Sequence, residues 1–166
     1  MRIELTVEEA VTLAGAVRPL PPLVLDVRPT GEDGAAVEVD LDGTLLPGAS
    51  GLLRLGAALA GRVTVTARFA GFADGDATVA LAAHARGLTV DRLLNHLTGA
   101  ITDALAAQGL PPELVELRRT PEGPQLVVHV QAAADARARG VGVRSVELFG
   151  GRLTVVLRLA DEVRLS

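Results

Sequence analysis

Val143-Arg144-Ser145-Val146-Glu147-Leu148-Phe149-Gly150-Gly151-Arg152-Leu153-Thr154-Val155-Val156-Leu157-Arg158-Leu159 is two apolar/polar alternations meeting at a pair of glycines. Period-two alternation marks a strand with one buried face, and two adjacent glycines accept the positive φ angles of a tight hairpin turn. The stretch predicts strands over 143–149 and 152–159, with Leu148 opposite Leu153 and Val146 opposite Val155.

The same signature recurs upstream. Leu23, Leu25 and Val27 alternate with Val24, Asp26 and Arg28, and Val37, Val39 and Leu41 alternate with Glu38, Asp40 and Asp42. Pro29-Thr30-Gly31-Glu32-Asp33-Gly34 between them is rich in turn formers, so Val27 should face Val37 and Leu25 should face Val39. Val63, Val65, Ala67 and Phe69 precede Asp74-Gly75-Asp76, which leads into Val79, Leu81 and Ala83. A three-residue loop there keeps both apolar sets on one face, whereas a two-residue loop would set them out of register, so the longer loop is predicted. A further pair, 114–119 and 125–131, flanks Thr120-Pro121-Glu122-Gly123.

Helical signals separate these pairs. Thr6-Val7-Glu8-Glu9 is a capping box and predicts a helix to about Val17, ended by Pro19, Pro21 and Pro22. The longest amphipathic stretch runs over 89–108, where Val90, Leu93, Leu94, Leu97, Ile101, Ala104 and Leu105 recur at spacings of three and four. Short helices are expected within 43–61 and over 132–139. The fold class predicted is α+β: a curved antiparallel sheet of about four hairpins packed around one long helix, in a single domain over 1–166.

Element order over 23–159, hairpins wrapped about a long helix, resembles the tubular lipid-binding (TULIP) superfamily and the small bacterial domains grouped with it. That resemblance implies a non-enzymatic domain binding an acyl chain or similar apolar ligand. Phe69, Phe72, Leu93, Leu94, Leu97, Ile101, Leu105 and Phe149 are the candidate ligand-binding residues, because a core so poor in aromatics is expected to leave a groove. The competing expectation is a scaffold that forms a homodimer through an open strand edge in 152–159 or the apolar 141–148.

One motif suggests catalysis. Asp40-Leu41-Asp42-Gly43-Thr44 resembles the first motif of the haloacid dehalogenase-like phosphohydrolases, which implies Asp40 as nucleophile, Asp42 as general acid/base and Mg²⁺ to neutralise phosphate. The chain departs from that family in having no Lys for its third motif and in the interruption of the strand by Glu38, where a doubly buried parallel strand reads as a continuous apolar run. A solvent-facing acidic ladder ending in an Asp-Gly turn accounts for the same residues, so no catalytic residue is assigned outside this alternative.

Other chemistry is sparse. There is no Cys, which removes disulfides and thiolates, and His84, His96 and His129 lack ligand spacing, so neither a metal nor a cofactor is predicted. The 16 basic residues, all Arg, are dispersed among 20 acids for a net charge of −4, without the basic stripe or stacking aromatics of a nucleic-acid binder. No run reaches the roughly 18 apolar residues of a spanning helix. The start, Met1-Arg2-Ile3-Glu4-Leu5, lacks the tripartite pattern of a secretory signal, which gives a cytoplasmic expectation.

Overall fold

The computed structural model describes residues 1–17, 24–40, 62–84, 106 and 111–165. In these the protein is mixed α and β, with every strand pairing antiparallel. The elements are β1 (Arg2–Thr6), α1 (Val7–Val17), β2 (Val24–Thr30), β3 (Gly34–Asp40), β4 (Arg62–Ala73), β5 (Asp76–His84), β6 (Val115–Thr120), β7 (Gly123–His129), α2 (Val130–Arg137), β8 (Ala138–Phe149) and β9 (Arg152–Leu165). A single 3₁₀ turn, Pro112–Leu114, precedes β6.

The strands fall into two sheets instead of the one expected. β2-β3-β4-β5-β7-β6 form one, and β1-β9-β8 form the other. Of the helix predicted over 89–108 only Ala106, which is helical, is among the described residues, and the short helix within 43–61 lies outside them, as does the arrangement of a sheet around the long helix.

Alternation along the larger sheet sorts the side chains. Val27, Val37, Val65, Ala67, Phe69, Val79, Leu126 and Leu117 share one face by register, and Arg28, Glu38, Thr66, Arg68, Thr78, Gln125 and Arg118 share the other. Val65 and Ala77 are buried on the apolar face, while Val127, only 2% exposed, is buried on the polar one between Thr78 and Glu116. In the smaller sheet Val146 is buried beside Val155, and β8 lies against β4.

Register agrees with the sequence where the turns are Gly-rich. Leu148 pairs with Leu153 and Val146 with Val155 across Gly150 and Gly151, whose φ angles of 59° and 69° are those a tight primed turn needs. Val27 pairs with Val37 as expected. Leu25 does not face Val39: a bulge between Val24 and Asp26 gives that place to Val24 and leaves Leu25 44% exposed.

The β4–β5 turn corrects a second expectation. It has two residues, Asp74 at φ 53° and Gly75 at φ 91°, with Ala73 directly opposite Asp76. The half-step that such a turn introduces is cancelled farther back, by a bulge between Phe69 and Gly71. Beyond it Phe69 meets Val79 and Ala67 meets Leu81, so the apolar sets are reunited by an extra strand residue and not by a longer loop.

β1 has no counterpart in the sequence reading. Its five residues lie along β9, and the main-chain pair between Met1 and Leu157 fixes its start. The capping box then forms as predicted: the Thr6 amide donates to Glu9 Oε2 at 2.7 Å, and the Glu9 amide donates to Thr6 Oγ1 at 3.1 Å. α2 spans Val130–Arg137, two residues ahead of the expected 132–139.

Gln131 in α2 joins the two sheets. Its amide donates to Gly75 O at 2.9 Å, its side-chain Nε2 donates to Val141 O at 3.0 Å, and its Oε1 accepts from the Val143 amide at 2.7 Å. These bonds satisfy β8 main chain between two register shifts, at Arg139/Val141 and Val143/Ser145. A Cβ on Gly75 would lie 2.8 Å from Gln131 Cβ, so this position demands glycine for both φ and space. Gly75→Ala should destabilise the protein by about 1–3 kcal/mol, seen as a lowered thermal midpoint by circular dichroism.

The α1 cap supplies a pH dependence. The hydrogen bond donated by the Thr6 amide, and then that donated by the Thr6 hydroxyl, hold the Glu9 carboxyl below its ordinary value of 4.5. A depressed folded value means that the stabilisation is complete above 4.5 and is lost as pH falls through the lower folded value. Acid unfolding of Glu9→Gln should lack that component, and side-chain carboxyl NMR should place the Glu9 midpoint below that of a free glutamate.

Candidate binding cleft

The cleft grows out of the β2–β3 turn. Gly31, at φ 64°, starts the reversal, and Gly34 is needed where a Cβ would meet Thr30 O at 2.9 Å and Ala67 O at 3.1 Å. That close approach lets Asp33 O accept from the Phe69 amide at 2.7 Å, which locks the turn to β4. The Asp33 carboxylate then receives Arg68 Nε on both oxygens, at 3.0 and 3.1 Å. Only one of the five guanidinium donors is used in this pair, leaving the two Nη groups outside it.

The β8–β9 turn docks onto the same place. The Gly151 amide donates to Glu32 O at 3.4 Å, the Val7 amide donates to Gly151 O at 3.0 Å, and the Cα hydrogen side of Gly151 faces Pro29, whose Cβ would lie 3.6 Å from an added methyl. Phe149, the last residue of β8, is thereby brought over the larger sheet with 68% of its surface exposed.

A cleft of about 680 Å³ results. Its floor comes from the polar face of β4 and β5, where Thr66 pairs with Ala82 and Arg68 with Ala80. The β2–β3 turn supplies Glu32 and Asp33, the β6–β7 turn supplies Glu122, and Phe149 forms an apolar wall. Small floor residues create the space; a Leu at 80 or 82 would fill part of it. With Asp33 and Arg68 paired, Glu32 and Glu122 leave the rim acidic.

The residues singled out by sequence are not gathered as expected. Phe69 and Phe72 are half-buried, on the apolar face of the sheet by register, and do not line this cleft, whereas Phe149 does. Alternation explains the split, since Arg68 and Phe69 are neighbours and must point to opposite faces. Leu93, Leu94, Leu97, Ile101 and Leu105 lie outside the described residues.

Asp40 ends β3, opposite Arg62 in an antiparallel sheet, and Asp42 to Thr44 lie outside the described residues. The phosphohydrolase resemblance implies a parallel strand end at that point, and the strand here has antiparallel neighbours on both sides. Histidines are likewise separate. His129 is the cross-strand partner of Asp76, whereas His84 lies at the other end of β5, roughly 26 Å away at strand rise, and His96 is outside the described residues.

The sequence places His129 on the outer face of its strand, as a hydrogen-bonded histidine unrelated to the other two. It is half-buried, with Nδ1 2.8 Å from Asp76 Oδ1. Nearby on the same face, Arg118 Nη2 donates to Glu116 Oε2 at 2.8 Å, a bond that lowers the Glu116 carboxyl and raises the Arg118 guanidinium from their ordinary values. Among the described residues, no group of three or more His, Asp or Glu is placed to hold a metal ion. No described helix is long and apolar enough to cross a membrane.

Sequence reasoning missed Asp33, Arg68, Thr66, Ala80 and Ala82 as site residues. The Gly-Glu-Asp-Gly turn was visible, but its contact with β4 is set by pairing across the 41–61 connection, which no local pattern encodes. Because Phe149 is exposed, Phe149→Ala should leave the unfolding free energy within about 0.5 kcal/mol of the parent by urea titration. No match was found between this chain and a protein-family model, a curated protein or a solved structure.

Proposed function

We propose that this protein is a non-enzymatic binding domain for a small, largely hydrophobic ligand, and that the ligand occupies the cleft beneath Phe149. The supporting observation is the placement of an exposed aromatic ring above a floor of Thr66, Ala80 and Ala82, in a chain with only three aromatic residues. An aromatic left in water forfeits a large burial gain, which a ligand would restore. A volume of about 680 Å³ falls in the range of small-molecule sites.

The reading keeps the apolar-ligand expectation drawn from the tubular lipid-binding resemblance but moves its centre from the 89–108 stripe to the β4–β5 surface. Arg68, fixed through Nε by Asp33, gives the floor a single cation that can meet a carboxylate head group. Glu32 and Glu122 oppose anions, so a modest preference between head groups is expected, set by which charge lies nearer.

Dansyl-undecanoate and Nile red, one anionic and one neutral, serve as fluorescent probes. Saturable binding should weaken at least about fivefold in both Phe149→Ser and Ala80→Leu, while Arg68→Gln should change the affinity for dansyl-undecanoate alone. Equal binding by the parent and by both cleft variants would reject this site.

A further inference from the structure

We infer that β1 is a dimerisation edge, pairing antiparallel with β1 of a second copy about a two-fold axis at Ile3. The inference does not rest on the cleft and concerns the opposite side of β9 from β8. Among the described residues β1 is an outer strand of its sheet, and Met1 to Glu4 are all exposed. This differs from the edge expected in 152–159, because β9 is the middle strand there, with β1 and β8 on its two sides.

The direction of the main-chain groups follows from the ladder. Met1 N donates to Leu157 O at 2.8 Å and Leu157 N donates to Met1 O at 2.7 Å, a doubly bonded pair. In an antiparallel ladder such pairs alternate with unbonded ones, so Ile3 with Val155 and Leu5 with Leu153 are bonded inward. The amides and carbonyls of Arg2 and Glu4 therefore point away from β9. The Thr6 amide beyond them is already held by Glu9, which ends the free edge.

Those outward residues are self-complementary in charge. Two-fold pairing at Ile3 sets Arg2 opposite Glu4 of the second copy and Glu4 opposite its Arg2, with Ile3 facing Ile3 and Met1 facing Leu5. The Arg2–Glu4 pairs are also the ones whose outward main-chain groups can exchange two hydrogen bonds each, so backbone and side-chain registers agree. A shift by one residue would lose both, placing Arg2 against Ile3 in one direction and Glu4 against Ile3 in the other. Arg2 and Glu4 already bond within one strand, with Nε 2.6 Å from Oε1, and would trade that exposed contact for its intermolecular equivalent. Edge strands with unpaired main-chain groups are the usual template for such addition.

A five-residue seam is small, so the dimer should form at roughly tens to hundreds of micromolar. Sedimentation equilibrium across that range should show a mass rising from 17.1 kDa toward twice that value. Arg2→Glu and Glu4→Arg, each alone, should weaken association roughly tenfold or more, since each sets like charges opposite one another. The double variant Arg2→Glu with Glu4→Arg should restore it, and an equimolar mixture of the two single variants should form a heterodimer. Circular dichroism of each variant checks that the fold is retained. A parent that stays at 17.1 kDa throughout, or a dimer indifferent to both single variants, overturns the inference.

Discussion

The joint made by Gln131 governs how the described parts of this protein stand to one another. A single side chain donates to and accepts from an irregular stretch of β8, while the main chain of the same residue holds the β4–β5 turn. Buried amides and carbonyls left without partners are expensive, so two register shifts close together in β8 require a substitute for the missing ladder bonds. Gln131 provides it, and the necessary closeness to Gly75 fixes the distance between the sheets. The β8–β9 turn can reach the β2–β3 turn because this distance is set elsewhere.

Local signals were legible where the chain reverses on itself. The Gly150-Gly151 turn, the capping box at Thr6 and the Val27–Val37 pairing follow from the residues alone, since each involves neighbours whose geometry is limited to a few turn or cap types. Bulges were less legible. At Leu25 and near Gly71 the chain inserts a residue; no residue type announces the first, and Gly71, a glycine inside a strand, is a signal for the second that a longer loop at the turn competes with. β1 escaped notice because five residues directly before a capping box give too short an alternation to separate from a leader to the helix.

The candidate cleft was half legible. Phe149 stood out as one of few aromatics, but Arg68 and Asp33 gain meaning only when β3 lies beside β4 and Gly34 comes opposite Arg68. That pairing spans the 41–61 segment and depends on the whole sheet. The polar face illustrates the same limit: a row of Thr, Ala and Arg on alternate positions reads as a wetted surface until the turns from three hairpins rise around it.

Two main-chain bonds help to seat the β8–β9 turn: the Gly151 amide donates to Glu32 O, and the Gly151 carbonyl accepts from the Val7 amide. Neither bond involves the side chain at 149. The wall of the cleft is thus carried on a frame indifferent to its identity, and exchanging the ring for another group would alter what the recess welcomes while leaving the scaffold unchanged. A lineage could retune selectivity at this one position without having to rebuild the molecule around it.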